Sequence, residues 1–248
     1  LVILDASFKK VTEGNSSTSE KQIPKTLFFD IKNTFSDSTA PFPNTIPSAE
    51  QFTVEAQKIG INTNSLIVVY DDKGIYSSAR AWYLFKTFGF KNVVVLDGGL
   101  PEWIKSGYTV EKKQKHKVKK GNFIAVYDST AIKYFSDIEI ASKDKNTLII
   151  DARSAKRFQC LVPEPRKGLR MGTIPNSINL PYTRLLNGNC FKPKEELTLI
   201  FDALNLKNKA LVFSCGSGIT ACILALGAEI SDYNNASVYD GSWTEYGS

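Results

Sequence analysis

Short apolar runs alternate with longer stretches of mixed character along this chain. Leu211-Val212-Phe213 is a run of the kind that forms a buried strand. From Ile219 to Ile230 the chain is apolar almost all round, as a buried helix is. Val2-Ile3-Leu4, Leu66-Ile67-Val68-Val69 and Leu148-Ile149-Ile150 are further strand runs, and Ser78–Phe88 is a helical stretch. Strands alternating with helices predict an α/β protein with parallel sheets flanked by helices.

The pattern occurs twice. Val2-Ile3-Leu4-Asp5-Ala6 returns as Leu148-Ile149-Ile150-Asp151-Ala152, and Ile23-Pro24 returns as Ile174-Pro175. Ser65–Tyr70 returns as Ala210–Ser214, and Val95-Leu96-Asp97-Gly98-Gly99 returns as Val238-Tyr239-Asp240-Gly241-Ser242. The order is the same in both halves, so one domain has been duplicated. We expect a first domain over 1–111, a lysine-rich linker over 112–128 and a second domain over 129–248.

Composition narrows the function classes. The chain has 248 residues, 42% of them apolar, enough for two cores. It shows no apolar run of membrane-spanning length and no secretory signal, and it starts inside a strand pattern, so a native terminus is expected to be missing. The net charge is +6, with lysines crowded at 112–120. No aromatic residues interleave there, which reads as a solvated linker rather than a nucleic-acid surface. The one histidine, His116, lies among these lysines and is expected to be exposed. In that position it is not expected to serve a histidine-based triad, and one histidine makes no histidine-rich metal site. Four irregularly spaced cysteines point to a reducing compartment rather than a disulfide framework.

Cys215-Gly216-Ser217-Gly218-Ile219-Thr220 joins the Leu211 strand to the helix that follows. Backbone N–H groups at such a turn, backed by the positive helix end, favour thiolate over thiol. Gly216 and Gly218 give the backbone the freedom to aim several amides at one point. A buried structural cysteine is the plainer alternative. Cysteine-phosphatase chemistry is not expected, because the position for its phosphate-binding arginine is Ala221 and no other cation lies in the loop. The first half has Asp71-Asp72-Lys73-Gly74 at the equivalent turn and no thiol, leaving it a structural and substrate-shaping role next to an interdomain cleft. Arg157 and Arg166 flank Pro163-Glu164-Pro165. Their planar forks suit a carboxylate, and a structural ion pair with Asp151 or Glu164 is the alternative.

The paired halves, Asp-Gly-Gly-Leu-Pro-Glu-Trp at 97–103, Pro-Glu-Pro-Arg at 163–166 and the loop at 215–220 resemble the tandem rhodaneses. Within that superfamily they resemble the 3-mercaptopyruvate sulfurtransferases. The resemblance implies two rhodanese-like domains, with sulfur carried from 3-mercaptopyruvate as a persulfide on Cys215. The acceptor would be thioredoxin, a small thiol or cyanide. No cofactor, metal, nucleic acid or membrane is implied, and the compartment would be cytoplasmic or mitochondrial. Arg157 and Arg166 would hold the substrate's carboxylate and carbonyl, and Gly216, Gly218, Ile219 and Thr220 would cradle the reacting sulfur. Ser217 would polarise the substrate or relay a proton, or else simply bond the loop. Tyr76 matches a first-domain tyrosine that reaches the substrate, with interdomain packing as its alternative.

Some positions depart from the family. Lys32 and Asn44 stand where an acidic residue and a histidine form a proposed relay with the loop serine, so that relay is not expected to operate. Cys160 stands where glycine is common; facing the arginines, it would be a candidate partner for Cys215 in a redox switch. The neutral loop favours a singly charged substrate over thiosulfate. A thiosulfate sulfurtransferase and a non-catalytic binding or redox-sensing module are the alternatives.

Overall fold

The computed structural model describes residues 1–11, 18–206 and 209–248. They form two compact units. The first comprises Leu1–Ala40, Ile46–Ser129 and Gly188–Cys190. The second comprises Pro41–Thr45, Thr130–Asn187 and Phe191–Ser248.

In the first unit, β1 (Val2–Asp5), β3 (Leu27–Phe28), β4 (Ile67–Tyr70) and β5 (Val93–Val95) make a parallel sheet in the order β3-β1-β4-β5. Its helices are α1 (Ala49–Lys58), α2 (Ser78–Thr87) and α3 (Gly99–Lys105), and a short antiparallel ribbon pairs β2 (Lys21–Gln22) with β6 (Glu111–Lys112). Ser48 starts α1 by accepting the N–H of Gln51 on its side chain. The core is aromatic. Phe29 stacks on Phe35 and Phe52 stacks on Phe88, at centroid distances of 3.7 and 4.3 Å, and Phe85, Phe90 and Phe123 close around them.

The lysine-rich segment is fixed to this unit by hydrogen bonds. Main-chain N–H groups of Gly121, Phe123, Val126 and Asp128 donate to the carbonyls of Gln57, Ile61, Phe88 and Thr87. At Gly121 an added Cβ would lie 1.9 Å from the Ile61 carbonyl oxygen, so the close approach requires glycine. His116 is half-buried rather than exposed, its Nε2 2.8 Å from Glu111 Oε1.

In the second unit, β7 (Ile132–Lys133), β8 (Thr147–Asp151), β9 (Ile178–Asn179), β12 (Ala210–Ser214) and β13 (Ala236–Tyr239) form a parallel sheet in the order β7-β13-β12-β8-β9. Removing the edge strand β7 leaves the strand order of the first unit, which is the duplication seen at the level of topology. The helices are α4 (Phe135–Ala141), α5 (Ala155–Phe158), α6 (Lys194–Asp202), α7 (Ala221–Ile230) and α8 (Ser242–Tyr246), and β10 (Leu186–Asn187) pairs with β11 (Cys190–Phe191). The first eight residues of α7 are all buried, as its apolar sequence predicts. The core joins Ile138, Ile149, Ile174, Val212, Tyr239 and Trp243. Both sheets are parallel and flanked by helices, as the strand–helix alternation predicts.

Candidate active site

β12 delivers Cys215 to the start of the loop that leads into α7, and Cys215 is buried at 1% exposure. The loop is fastened by the segment that opens α8. Trp243 N–H donates to the Cys215 carbonyl at 3.0 Å and Thr244 N–H to the Gly216 carbonyl at 2.9 Å, joined by the Thr244 hydroxyl. Ser242 Oγ accepts the N–H groups of Cys215 and Gly218 at 3.1 and 3.2 Å, donates to the Tyr239 carbonyl at 2.8 Å, and lies 3.9 Å from Cys215 Sγ. This modifies the expectation that the loop amides converge on sulfur, since two of them converge on a serine oxygen. The N–H groups of Gly216, Ser217, Ile219 and Thr220 donate to no protein group among the described residues. Unpaired amides at such a turn are groups able to bind an anion.

The first unit shows what the same turn does without a thiol. There Asp71 follows β4, and Leu100 N–H donates to its carbonyl at 3.0 Å, as Trp243 does to Cys215. The Asp71 carboxylate accepts the N–H groups of Lys73, Tyr76 and Ser78 at 2.8–2.9 Å and the Ser78 hydroxyl at 2.6 Å. The loop's donors are satisfied by an anion of its own. Tyr76 lies in this loop, its ring 5.8 Å from Phe8 and capped by Lys10 Nζ at 4.3 Å.

Three guanidinium groups and two carboxylates surround the nucleophile loop. Arg153 is fully buried, bound to Asp151 at 2.7 Å, to Glu164 at 2.8 Å and to the Gly172 carbonyl at 2.9 Å. Its guanidinium and that of Arg170 lie over the Trp243 ring at 4.4 and 5.0 Å. Arg157, from α5, pairs with the other oxygen of Glu164 at 2.5 Å. The ion-pair alternative for Arg157 is therefore realised, and it coexists with a position at the loop. A Cβ on Gly216 would lie 3.0 Å from Arg157 Nη2 and 3.7 Å from Arg166 Nη1, so both guanidiniums occupy the space a side chain would take. Arg166 Nη2 donates to Ser217 Oγ at 2.9 Å. Arg153, Arg157 and Arg166 against Asp151 and Glu164 leave one net positive charge.

α5 places Arg157 because it stops abruptly. The N–H of Leu161 reaches back to Lys156 and that of Cys160 to Arg157, with Cys160 at φ +59° between them. This is the left-handed helix closure that glycine makes without strain. Cys160 is exposed, and its thiol lies 3.9 Å from the Phe158 carbonyl. Cys222 is buried in α7 and Cys190 is half-buried in β11.

Asn44 was legible only as a missing histidine, yet it belongs to the second unit and its Nδ2 lies 3.1 Å from both the Oγ and the main-chain oxygen of Ser217. Ser242 was missed altogether. The one signal for it was the mismatch with Gly99 in the repeat: Gly99 and Ser242 have φ values of +52° and +50°, and a serine kept in such backbone asks for a reason.

A strand, a loop and a helix arranged twice in one chain, with the thiol in the second copy alone, define a tandem rhodanese. The chain belongs to that family, whose rhodanese-like domain matches residues 20–106 and 136–248. Among its relatives, the 3-mercaptopyruvate sulfurtransferase of Escherichia coli strain K12 is 38% identical over 226 residues, 91% of this chain and 80% of the relative. The mitochondrial thiosulfate/3-mercaptopyruvate sulfurtransferase 1 of Arabidopsis thaliana is 37% identical over 271 residues, covering 99% of this chain and 71% of the relative. The crystal structure of SseA from Escherichia coli, described as a 3-mercaptopyruvate sulfotransferase, superposes with a TM-score of 0.87 at 34% identity, covering 98% of this chain and 92% of that one.

Proposed function

We propose that this chain is a 3-mercaptopyruvate sulfurtransferase acting through a persulfide on Cys215. The Cys215 thiolate attacks the substrate's sulfur; the S–S bond forms, the C–S bond breaks, and its electron pair leaves as the enolate of pyruvate. Protonation at carbon then gives pyruvate. A thiolate acceptor attacks the outer sulfur, takes it as a new persulfide and returns Cys215 to its thiolate. Thioredoxin or a small thiol serves as acceptor, and cyanide would be carried to thiocyanate.

The observation that carries this reading is the convergence of Arg157 and Arg166 on the bare face of Gly216, beside the buried thiol. Two guanidiniums at that face suit the carboxylate of a 2-oxo acid. In this reading Arg166 and the exposed edge of Arg157 hold the carboxylate, and the amides of Gly216, Ser217, Ile219 and Thr220 hold the transferred sulfur. Gly218 gives the loop its left-handed bend at φ +75°. Tyr76 is proposed as a substrate-binding residue. The cytoplasm or mitochondrion is the proposed compartment, in keeping with the mitochondrial relative; among the described residues no helix is long and apolar enough to cross a membrane.

The test is pyruvate formation from 3-mercaptopyruvate with a reduced thiol acceptor, run beside thiosulfate with cyanide and with Cys215→Ser as control. Preference for mercaptopyruvate, abolished in the variant, is the expected result. Preference for thiosulfate, the second activity in the Arabidopsis relative's name, would reverse the substrate assignment. Turnover of neither would leave a binding or redox-sensing module.

A further inference from the structure

We propose that Asn44 and Arg166 lock the Ser217 hydroxyl as a one-way hydrogen-bond donor to the substrate's carbonyl oxygen, so that sulfur transfer here proceeds without a serine-centred proton relay. The inference rests on the sulfurtransferase reading and specifies how its site works.

A hydroxyl has one proton and two lone pairs. Ser217 is buried at 6% exposure, and its oxygen receives Arg166 Nη2 at 2.9 Å and Asn44 Nδ2 at 3.1 Å. A guanidinium has no acceptor and keeps its protons, so the first bond runs in one direction only. The second is fixed by chemistry as well. The same Asn44 atom lies 3.1 Å from the Ser217 main-chain oxygen, which can only accept. The atom facing the loop is therefore the amide nitrogen, not its oxygen. Both lone pairs of Ser217 are taken, and among the described residues its proton has no protein acceptor.

Two consequences follow. Ser217 has no lone pair with which to take up a proton, and neither donor to it can pass one on at neutral pH. Its own proton is left for a bound molecule, and two donors pulling on the oxygen strengthen that donation. A donor held in advance where charge develops is what an enolate-forming step uses. The proton that turns the enolate into pyruvate then comes from water.

Asn44 has a left-handed backbone, φ +63°, which Asn, Asp and His adopt more readily than other side chains. Asn44→Asp and Asn44→His are thus compatible with the local chain. The experiment measures kcat and KM for wild type, Ser217→Ala and both Asn44 variants over pH 5.5–8.5, each variant expressed as a ratio to wild type to cancel the common titration of the thiol. Melting temperatures check folding. An aspartate accepts the Ser217 proton instead of donating, so Asn44→Asp should lose kcat about as Ser217→Ala does, on the order of 10²-fold, with KM within a few-fold. For Asn44→His the sign decides. If the serine must donate, only the imidazolium replaces Asn44, and relative activity rises as pH falls through about 6.5. If a relay is the better arrangement, relative activity rises with pH instead, and the proposal is overturned. A pH-independent ratio for Asn44→His together with an Asn44→Asp variant as active as wild type overturns it too. The mass of a persulfide on wild-type Cys215 after mercaptopyruvate is read separately, so failure of the enzymatic reading is distinguishable from failure of the lock.

Discussion

Glu164 shows how a single side chain organises charge at this site. One oxygen binds Arg153 and the other binds Arg157, in a place where its carboxylate is 1% exposed. Removing the charge leaves two guanidiniums facing each other with Asp151 alone to offset them. Breaking a buried pair from one side costs about 3–5 kcal/mol. Glu164→Gln should therefore lower thermal stability by that order, and a raised KM for mercaptopyruvate should accompany it as Arg157 loses its anchor. A melting temperature within a degree of wild type would contradict the buried-pair argument. At this scale the proposed site residues were legible as candidates, because the loop and the Pro-Glu-Pro-Arg stretch are local motifs. Asn44 and Ser242 were not. Asn44 reaches Ser217 across 173 positions, and Ser242 reaches Cys215 across 27. No local spacing records such a contact.

The two strand-to-helix turns form a natural comparison between elements. In the second unit the turn presents a thiol and four amides with no protein acceptor among the described residues, whereas in the first unit Asp71 supplies a carboxylate to its own loop. The sequence indicated the missing thiol but not that its replacement completes the turn, since burial and bond direction appear only in three dimensions. Asp71 is fully buried. Asp71→Asn turns one accepting oxygen into a donor that faces donors, at a cost of about 1–3 kcal/mol for the unsatisfied groups. Faster hydrogen exchange in α2, whose first residue Ser78 donates both N–H and hydroxyl to Asp71, is the expected signature. Unchanged protection of α2 would mean that the turn does not depend on its internal anion.

For the whole molecule, duplication and sheet class were readable from recurring patterns, because strand periodicity and turn motifs are local and occur twice. The path of the lysine-rich segment was not. Its charge reads as solvated, while its hydrogen bonds and the burial of Phe123 belong to a packed strand-like run. Just before the segment stands Glu111, whose carboxyl is held down at about 2 by hydrogen bonds from Gln22, His116 and the Lys25 amide. A folded value below the unfolded one, about 4.3, means that this anchor stabilises fully above that pH and is lost as pH falls toward 2. Glu111→Gln should be less stable than wild type at pH 6, and the gap in melting temperature should close during acidification between those two values. A gap that stays constant down to pH 2 would show that the charge of Glu111 contributes nothing.

Pro41–Thr45 and Gly188–Cys190 each belong to the unit built from the other half of the sequence. A repeat made by copying starts as two self-sufficient pieces, and an exchange of this kind removes that independence. A polypeptide beginning at Thr130 would carry Cys215, Ser217, Arg157 and Arg166, yet it would lack Asn44, whose amide is bonded to Ser217. Gene fission at the boundary of the repeat would thus part Ser217 from Asn44, a contact that ties the two copies to one reading frame.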